Sequence, residues 1–134
     1  MVSGSCHCRR VRFEIHSRIH GFKHCHCTTC RKIHGTVYGS SALTDAGGFR
    51  VTQGESDLER YESSPGKRRC FCRHCGSHVF AYYENDPSFV VLRLGTLDQA
   101  PDIAPEAHIW VSHQAPWYQL RDEIPQYAED LPRT

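Results

Sequence analysis

At 134 residues the chain has the size of one domain with a real but modest core. Its 16 Lys and Arg nearly balance 15 Asp and Glu, so net charge suggests no polyanionic partner, and nucleic-acid binding is not expected. No apolar run approaches the roughly 20 residues needed to span a bilayer, which excludes a helical membrane anchor within this sequence. The opening stretch MVSGSCHCRRVRFEI lacks the apolar segment of a signal peptide, so the expected compartment is the cytoplasm, where thiols stay reduced.

RRVRFEIH (9–16) alternates, with Val11, Phe13 and Ile15 on one face and Arg10, Arg12 and Glu14 on the other, and predicts a half-buried strand. IHGFKHCHC (19–27) leads into a cysteine cluster, and CRKIHG (30–35) holds one short helical turn ended by Gly35. TVYGSSAL (36–43), GFRVTQG (48–54) and LERYES (58–63) read as short strands. Pro65-Gly66 suits a type II turn and makes a hairpin of LERYES with RRCFC (68–72). HVFAYY (78–83) and SFVVLRLG (88–95) form a second hairpin around NDPS, and EAHIWVS (106–112) is the last strand. From Gln114 onward Pro116, Pro125 and Pro132 punctuate a segment expected to drape over the surface. No long helical periodicity, low-complexity stretch or dividing linker is visible, so residues 1–134 are expected to form a single, mainly β domain.

The eight cysteines fall in four groups: CHC (6–8), CHCTTC (25–30), Cys70 and CRHCG (72–76). Cys6 and Cys8, like Cys25 and Cys27, are too close in sequence for an unstrained mutual disulfide. Residues two apart in extended chain point the same way and can converge on one ion. Cys72-x-x-Cys75-Gly76 is a metal knuckle, with glycine permitting the positive φ such turns need. Two C-x-C and two C-x-x-C pairs in a reduced chain point to zinc. Spacing alone leaves the partition open: sulfurs 6, 8, 25 and 27 could share an ion, or 6, 8, 72 and 75.

GSCHCRRVRFE, CHCTTCRK, FCRHCGSHVF and HIWVSHQAPWYQL…IPQY, in that order, resemble the glutathione-dependent formaldehyde-activating enzyme (Gfa) family from about Ser3 to Pro132. The resemblance implies an Mss4-like fold of several short antiparallel sheets pinned by two zinc ions per chain. By position it puts a structural zinc on Cys6, Cys8, Cys72 and Cys75, and a catalytic zinc on Cys25, Cys27 and Cys30. It implies a carbon–sulfur lyase in which a small thiol such as glutathione adds reversibly to formaldehyde or another small carbonyl compound. Arg9 departs from the family pattern, in which glycine commonly follows the second cysteine.

Zn²⁺ with three thiolates carries a net −1 charge and keeps one position free, as a catalytic site does. Strong donation from three sulfurs tempers its Lewis acidity, which suits activation of a thiol better than hydrolysis by water. Cys70, two residues before Cys72, has no place in the inherited assignment. It is either a free thiol or the fourth ligand of the CHCTTC ion. In the second case both sites are closed and the chain is a zinc-stabilised binding module without this chemistry. Arg31 and Lys32 are candidates for holding a substrate carboxylate, and His34 and His113 for a general acid. His26 is expected to point away from the metal, and Trp110, Trp117, Tyr118 and Phe71 to pack in the core.

Overall fold

The computed structural model describes residues 1–132. Its strands, in chain order, are β1 (Val2–Ser5), β2 (Arg12–Ile15), β3 (His20–Cys25), β4 (Gly39–Asp45), β5 (Phe49–Gln53), β6 (Leu58–Ser64), β7 (Lys67–Cys72), β8 (His78–Tyr83), β9 (Asp86–Arg93) and β10 (Ala107–Ile109). One α-helix, α1 (Thr28–His34), lies between β3 and β4. The mainly β expectation therefore holds. No helix among the described residues is long and apolar enough to cross a membrane.

The chain forms two compact units, each from two separate stretches: Met1–His20 with Ala42–Asp102, and Gly21–Ser41 with the stretch from Ile103 onward. In the first, β1, β2 and β5 make an antiparallel sheet in that order. The expected alternation of β2 is realised: Val11, Phe13 and Ile15 are all buried, while Arg12 is exposed. Burying each such side chain contributes roughly 1.5–3 kcal/mol. Strands β6 to β9 follow as an antiparallel meander. Ser64 pairs with Lys67 across the two-residue turn, and Gly66 takes a φ of 80°, the value a type II turn requires at its third position. The core joins Phe13, Ile15, Val79, Phe80 and Leu92 to Cys6, Cys70 and Cys72.

In the second unit β10 runs parallel to β3, pairing Ala107 with Lys23, His108 with His24 and Ile109 with Cys25. Its buried apolar cluster is small: Cys25, Cys30, Ala107 and Ile109, flanked by Cys27, Trp110, Tyr127 and Leu131. With so little apolar area buried, a metal held by the cysteines would add directly to the folding energy.

Three local expectations are revised. β1 was not anticipated, because VSGS has no apolar alternation; it is a strand because β2 offers it a partner edge. β10 stops at Ile109 because Trp110 adopts a left-handed φ of 57°, and residues 111–113 turn as a 3-10 helix. The tail does more than drape. His108 N–H donates to the Pro125 carbonyl (2.8 Å), Tyr127 N–H to that of His108 (2.9 Å) and Val111 N–H to that of Tyr127 (3.1 Å). Residues 125–127 thus serve β10 almost as a further strand.

Candidate metal centres

The structure brings the Sγ atoms of Cys6, Cys8, Cys72 and Cys75 together, all within 4.8 Å of one another. Two turns present them. In the first, Arg9 N–H donates to the Cys6 carbonyl (3.1 Å) and Cys6 N–H to that of Val11 (3.0 Å). In the second, Gly76 N–H donates to the Cys72 carbonyl (2.8 Å) and Cys72 N–H to that of Ser77 (3.0 Å). Both turns end on a left-handed residue, Arg9 at φ 67° and Gly76 at φ 79°. The departure noted at Arg9 therefore falls at a position whose backbone favours glycine.

Sulfur separations in this quartet are 3.6 Å for Cys6–Cys8 and 3.7 Å for Cys8–Cys72. Tetrahedral bonds of about 2.3 Å to zinc require about 3.8 Å, so these residues fit the ion. Backbone amides already support negative sulfur: Val11 N–H points at Cys6 Sγ (3.3 Å) and His74 N–H at Cys72 Sγ (3.4 Å). The backbone amide of Arg10, against some burial, lowers Cys8. Although burial opposes it, Ser77 and the neighbouring cysteines bring Cys75 down to about 5. Burial pushes Cys72 up to about 11. A divalent cation at the centre reverses such an upward push by favouring the thiolate.

The second centre groups Cys25, Cys27 and Cys30, again with all sulfurs within 4.8 Å. Cys25 ends β3, Cys27 caps α1, and Cys30 lies in the first turn, its N–H donating to Cys27 Sγ at 3.3 Å. Interaction with the Cys27 and Cys30 thiols, and then burial, raises the Cys25 thiol strongly. Among the described residues no fourth His, Cys, Asp or Glu donor joins this trio. Cys70 belongs to neither group; it is fully buried in the core of the first unit, where desolvation pushes it up to about 12.

In the second unit a set of imidazoles accompanies the trio. His26 and His108 are both fully buried, with His26 Nε2 2.8 Å from His108 Nδ1. His108 Nε2 lies 3.0 and 3.1 Å from the two Asp122 oxygens. His24 bonds Ser40 Oγ at 2.9 Å, and the Tyr38 ring packs within 5.4 Å of all three histidines. Burial, and then the other two histidines, holds His26 down at about 4, so it is neutral near pH 7. Asp122 is lowered, first by its bond from His108.

The family model for the glutathione-dependent formaldehyde-activating enzyme matches residues 1–113, a stretch that contains both sulfur clusters. The chain belongs to this family. A Halomonas elongata relative, provisionally named as such an enzyme, is 27% identical over 128 residues, covering 90% of this Gfa chain and 81% of the relative. An uncharacterized lyase of Schizosaccharomyces pombe is 23% identical over 132 residues, covering 95% and 90%. The crystal structure of a Rhodobacter sphaeroides protein superposes with a TM-score of 0.62 at 23% identity, over 75% of this chain and 91% of that one, and is alike in fold. Residues 114–132, which include Asp122, lie outside the family match.

The other candidate residues of this Gfa chain are dispersed. Arg31 and Lys32 both lie on α1; Lys32 is exposed, whereas Arg31 Nε is buried without a hydrogen-bond partner among the described residues. His34 ends α1, and His113 is exposed beside Ser112. Trp117 is 71% and Tyr118 43% exposed, so neither is core, contrary to expectation; they follow the 3-10 turn and Pro116 and belong to no strand. His108 and Asp122 escaped sequence reasoning. The register of a parallel strand pair and the return of a proline-rich tail leave no local pattern, and only the His-x-His repeat at 24–26 hinted at an imidazole cluster.

Proposed function

We propose that this chain is a zinc-dependent carbon–sulfur lyase of the Gfa type, joining a thiol, glutathione by family, to formaldehyde or another small carbonyl compound. The observation that carries this reading is the CHCTTC trio: three converging sulfurs from Cys25, Cys27 and Cys30, with no fourth protein donor among the described residues. A structural site closes its fourth position with protein, and a catalytic one leaves it open. Zinc held there supplies a thiolate near neutral pH, where a free thiol is only a few per cent ionised. The Cys6, Cys8, Cys72 and Cys75 set is the structural counterpart, tying the first turn of the chain to the β7–β8 connection.

The residues of this chain then have separate tasks. Three cysteines define where the reacting sulfur sits. Cys30 N–H, bonded to Cys27 Sγ, steadies the negative charge of the trio. In the reaction the thiol gives up its proton, its sulfur attacks the carbonyl carbon, the C=O π pair moves to oxygen, and that oxygen takes up one proton, so none is gained or lost overall; cleavage runs these steps backward. Arg31, the residue after Cys30 on α1, is the candidate to meet the negative oxygen or a substrate carboxylate.

The test is direct. Zinc-edge absorption of the metal-loaded protein should show added sulfur coordination when glutathione is supplied, and S-hydroxymethylglutathione should form above the spontaneous rate. Cys70→Ser should change neither the zinc content nor this response. Loss of zinc in Cys70→Ser with no response to any thiol would overturn the reading in favour of a closed zinc-stabilised binding module.

A further inference from the structure

The hydrogen-bonded series Asp122–His108–His26 runs from a carboxylate to a buried imidazole. An ionised carboxylate only accepts hydrogen bonds, so the contacts of 3.0 and 3.1 Å place a proton on His108 Nε2. A His108 that carries its one proton on Nε2 offers Nδ1 as an acceptor, and the 2.8 Å contact then calls for a proton on His26 Nε2. The other His26 nitrogen, Nδ1, is left with a bare lone pair. That atom is buried and has no hydrogen-bond partner among the described residues. A buried acceptor without a partner costs more than an ordinary hydrogen bond gains, so such an atom calls for an explanation.

A second atom on the same short segment complements it. Arg31 Nε is also buried and without a hydrogen-bond partner among the described residues. One is an acceptor and the other a donor. A hydroxyl group can accept a hydrogen bond as well as donate one, and donation is what His26 Nδ1 lacks. Of the reacting groups, a free carbonyl oxygen and a thiolate can only accept, so neither satisfies the lone pair. The hydroxyl made by their addition does.

We propose that Asp122, acting through His108, sets His26 in the tautomer whose Nδ1 accepts a hydrogen bond from the hydroxyl of the thiol–carbonyl adduct. This rests on the reaction proposed above. His26 touches the adduct, whereas His108 and Asp122 are positioning residues. No change in the protonation of His26 is invoked; the series selects the adduct over its components by hydrogen-bond polarity alone. Asp122 lies beyond the stretch the family model matches.

The experiment uses ¹⁵N-labelled, zinc-loaded full-length protein and long-range ¹H–¹⁵N correlation spectra, which report the protonated nitrogen of each imidazole. His26 and His108 should both carry the proton on Nε2. Mixing glutathione with formaldehyde yields the adduct spontaneously, and this mixture should shift the His26 Nδ1 resonance while glutathione alone does not. In Asp122→Asn the amide can donate to His108 Nε2, which should move both rings toward the Nδ1-protonated form and lower kcat by about tenfold or more, with the KM for glutathione nearly unchanged. Asp122→Glu should restore the tautomers and much of the rate. A wild-type His26 protonated on Nδ1, or an Nδ1 resonance unmoved by the adduct in protein that turns over, would overturn the inference while leaving the reaction intact. An Nδ1 that responds to the adduct in protein without turnover would uphold the site and reject the reaction.

Discussion

Replacing Arg9 with glycine should stabilise the protein, and replacing Gly76 with alanine should destabilise it by a similar amount. Both residues close a metal-binding turn in the left-handed region, at φ 67° and 79°. An L side chain pays roughly 1–2 kcal/mol there. Glycine, being freer in the unfolded chain, gives back about 0.5–1 kcal/mol of that difference. The net expectation is a gain of about 0.5–1 kcal/mol for Arg9→Gly. The Arg9 side chain is exposed, and the residue bonds through its backbone: its carbonyl accepts from Arg12 Nε and Gln53 Nε2, and its N–H donates to the Cys6 carbonyl. Arg9→Ala, which keeps the strain, is therefore the control and should match the wild type. At Gly76 an added Cβ meets no heavy atom within 4 Å, so the alanine variant isolates the backbone cost.

The assay is thermal unfolding at a fixed excess of zinc, since bound metal contributes to apparent stability and must be held constant. For a chain of this size about 1 kcal/mol corresponds to about 2–5 °C in Tm, a resolvable shift. If Arg9→Gly melts no higher than Arg9→Ala, or Gly76→Ala melts with the wild type, backbone strain does not govern these turns.

Three further outcomes follow, two from the metal centres and one from a half-buried histidine. Elemental analysis should find two zinc ions per chain; Ser at Cys6, Cys8, Cys72 or Cys75 should abolish cooperative unfolding, while Ser at Cys25, Cys27 or Cys30 should abolish activity at a smaller loss of stability, and equal effects would reject the division of roles. Burial, and then Arg93 and Arg69, holds His78 at about 4, below its ordinary 6.5. The unfolded chain thus takes up the proton first, so the contribution is full above about pH 6.5 and is lost toward pH 4. Urea midpoints at pH 7 and pH 5 should differ less in His78→Gln than in the wild type, and an unchanged difference would refute the assignment.

Local chemistry made much of this molecule legible before any coordinates. The alternation of RRVRFEIH placed Val11, Phe13 and Ile15 in the core, because strand periodicity is a property of a few neighbouring residues. Pro65-Gly66 announced its turn for the same reason. Cysteine spacing marked metal chemistry, since sulfurs two or three residues apart converge wherever the chain goes. Family likeness added the partition between the two sets, which spacing had left open.

Long-range geometry was another matter. β1 is a strand only because β2 is beside it, and nothing in VSGS requires that. That Cys70 joins neither sulfur cluster depends on the packing around β7, not on its distance from Cys72 along the chain. Most of all, the series from Asp122 to His26 requires a parallel register between β3 and β10 and a tail that returns beside β10. Residues 26, 108 and 122 have no common local pattern. Sequence by itself determined which atoms could bind a metal, because that is written in residue type and near spacing. Tertiary structure decided which buried nitrogen was left without a partner, because hydrogen-bond satisfaction depends on every group the fold brings near.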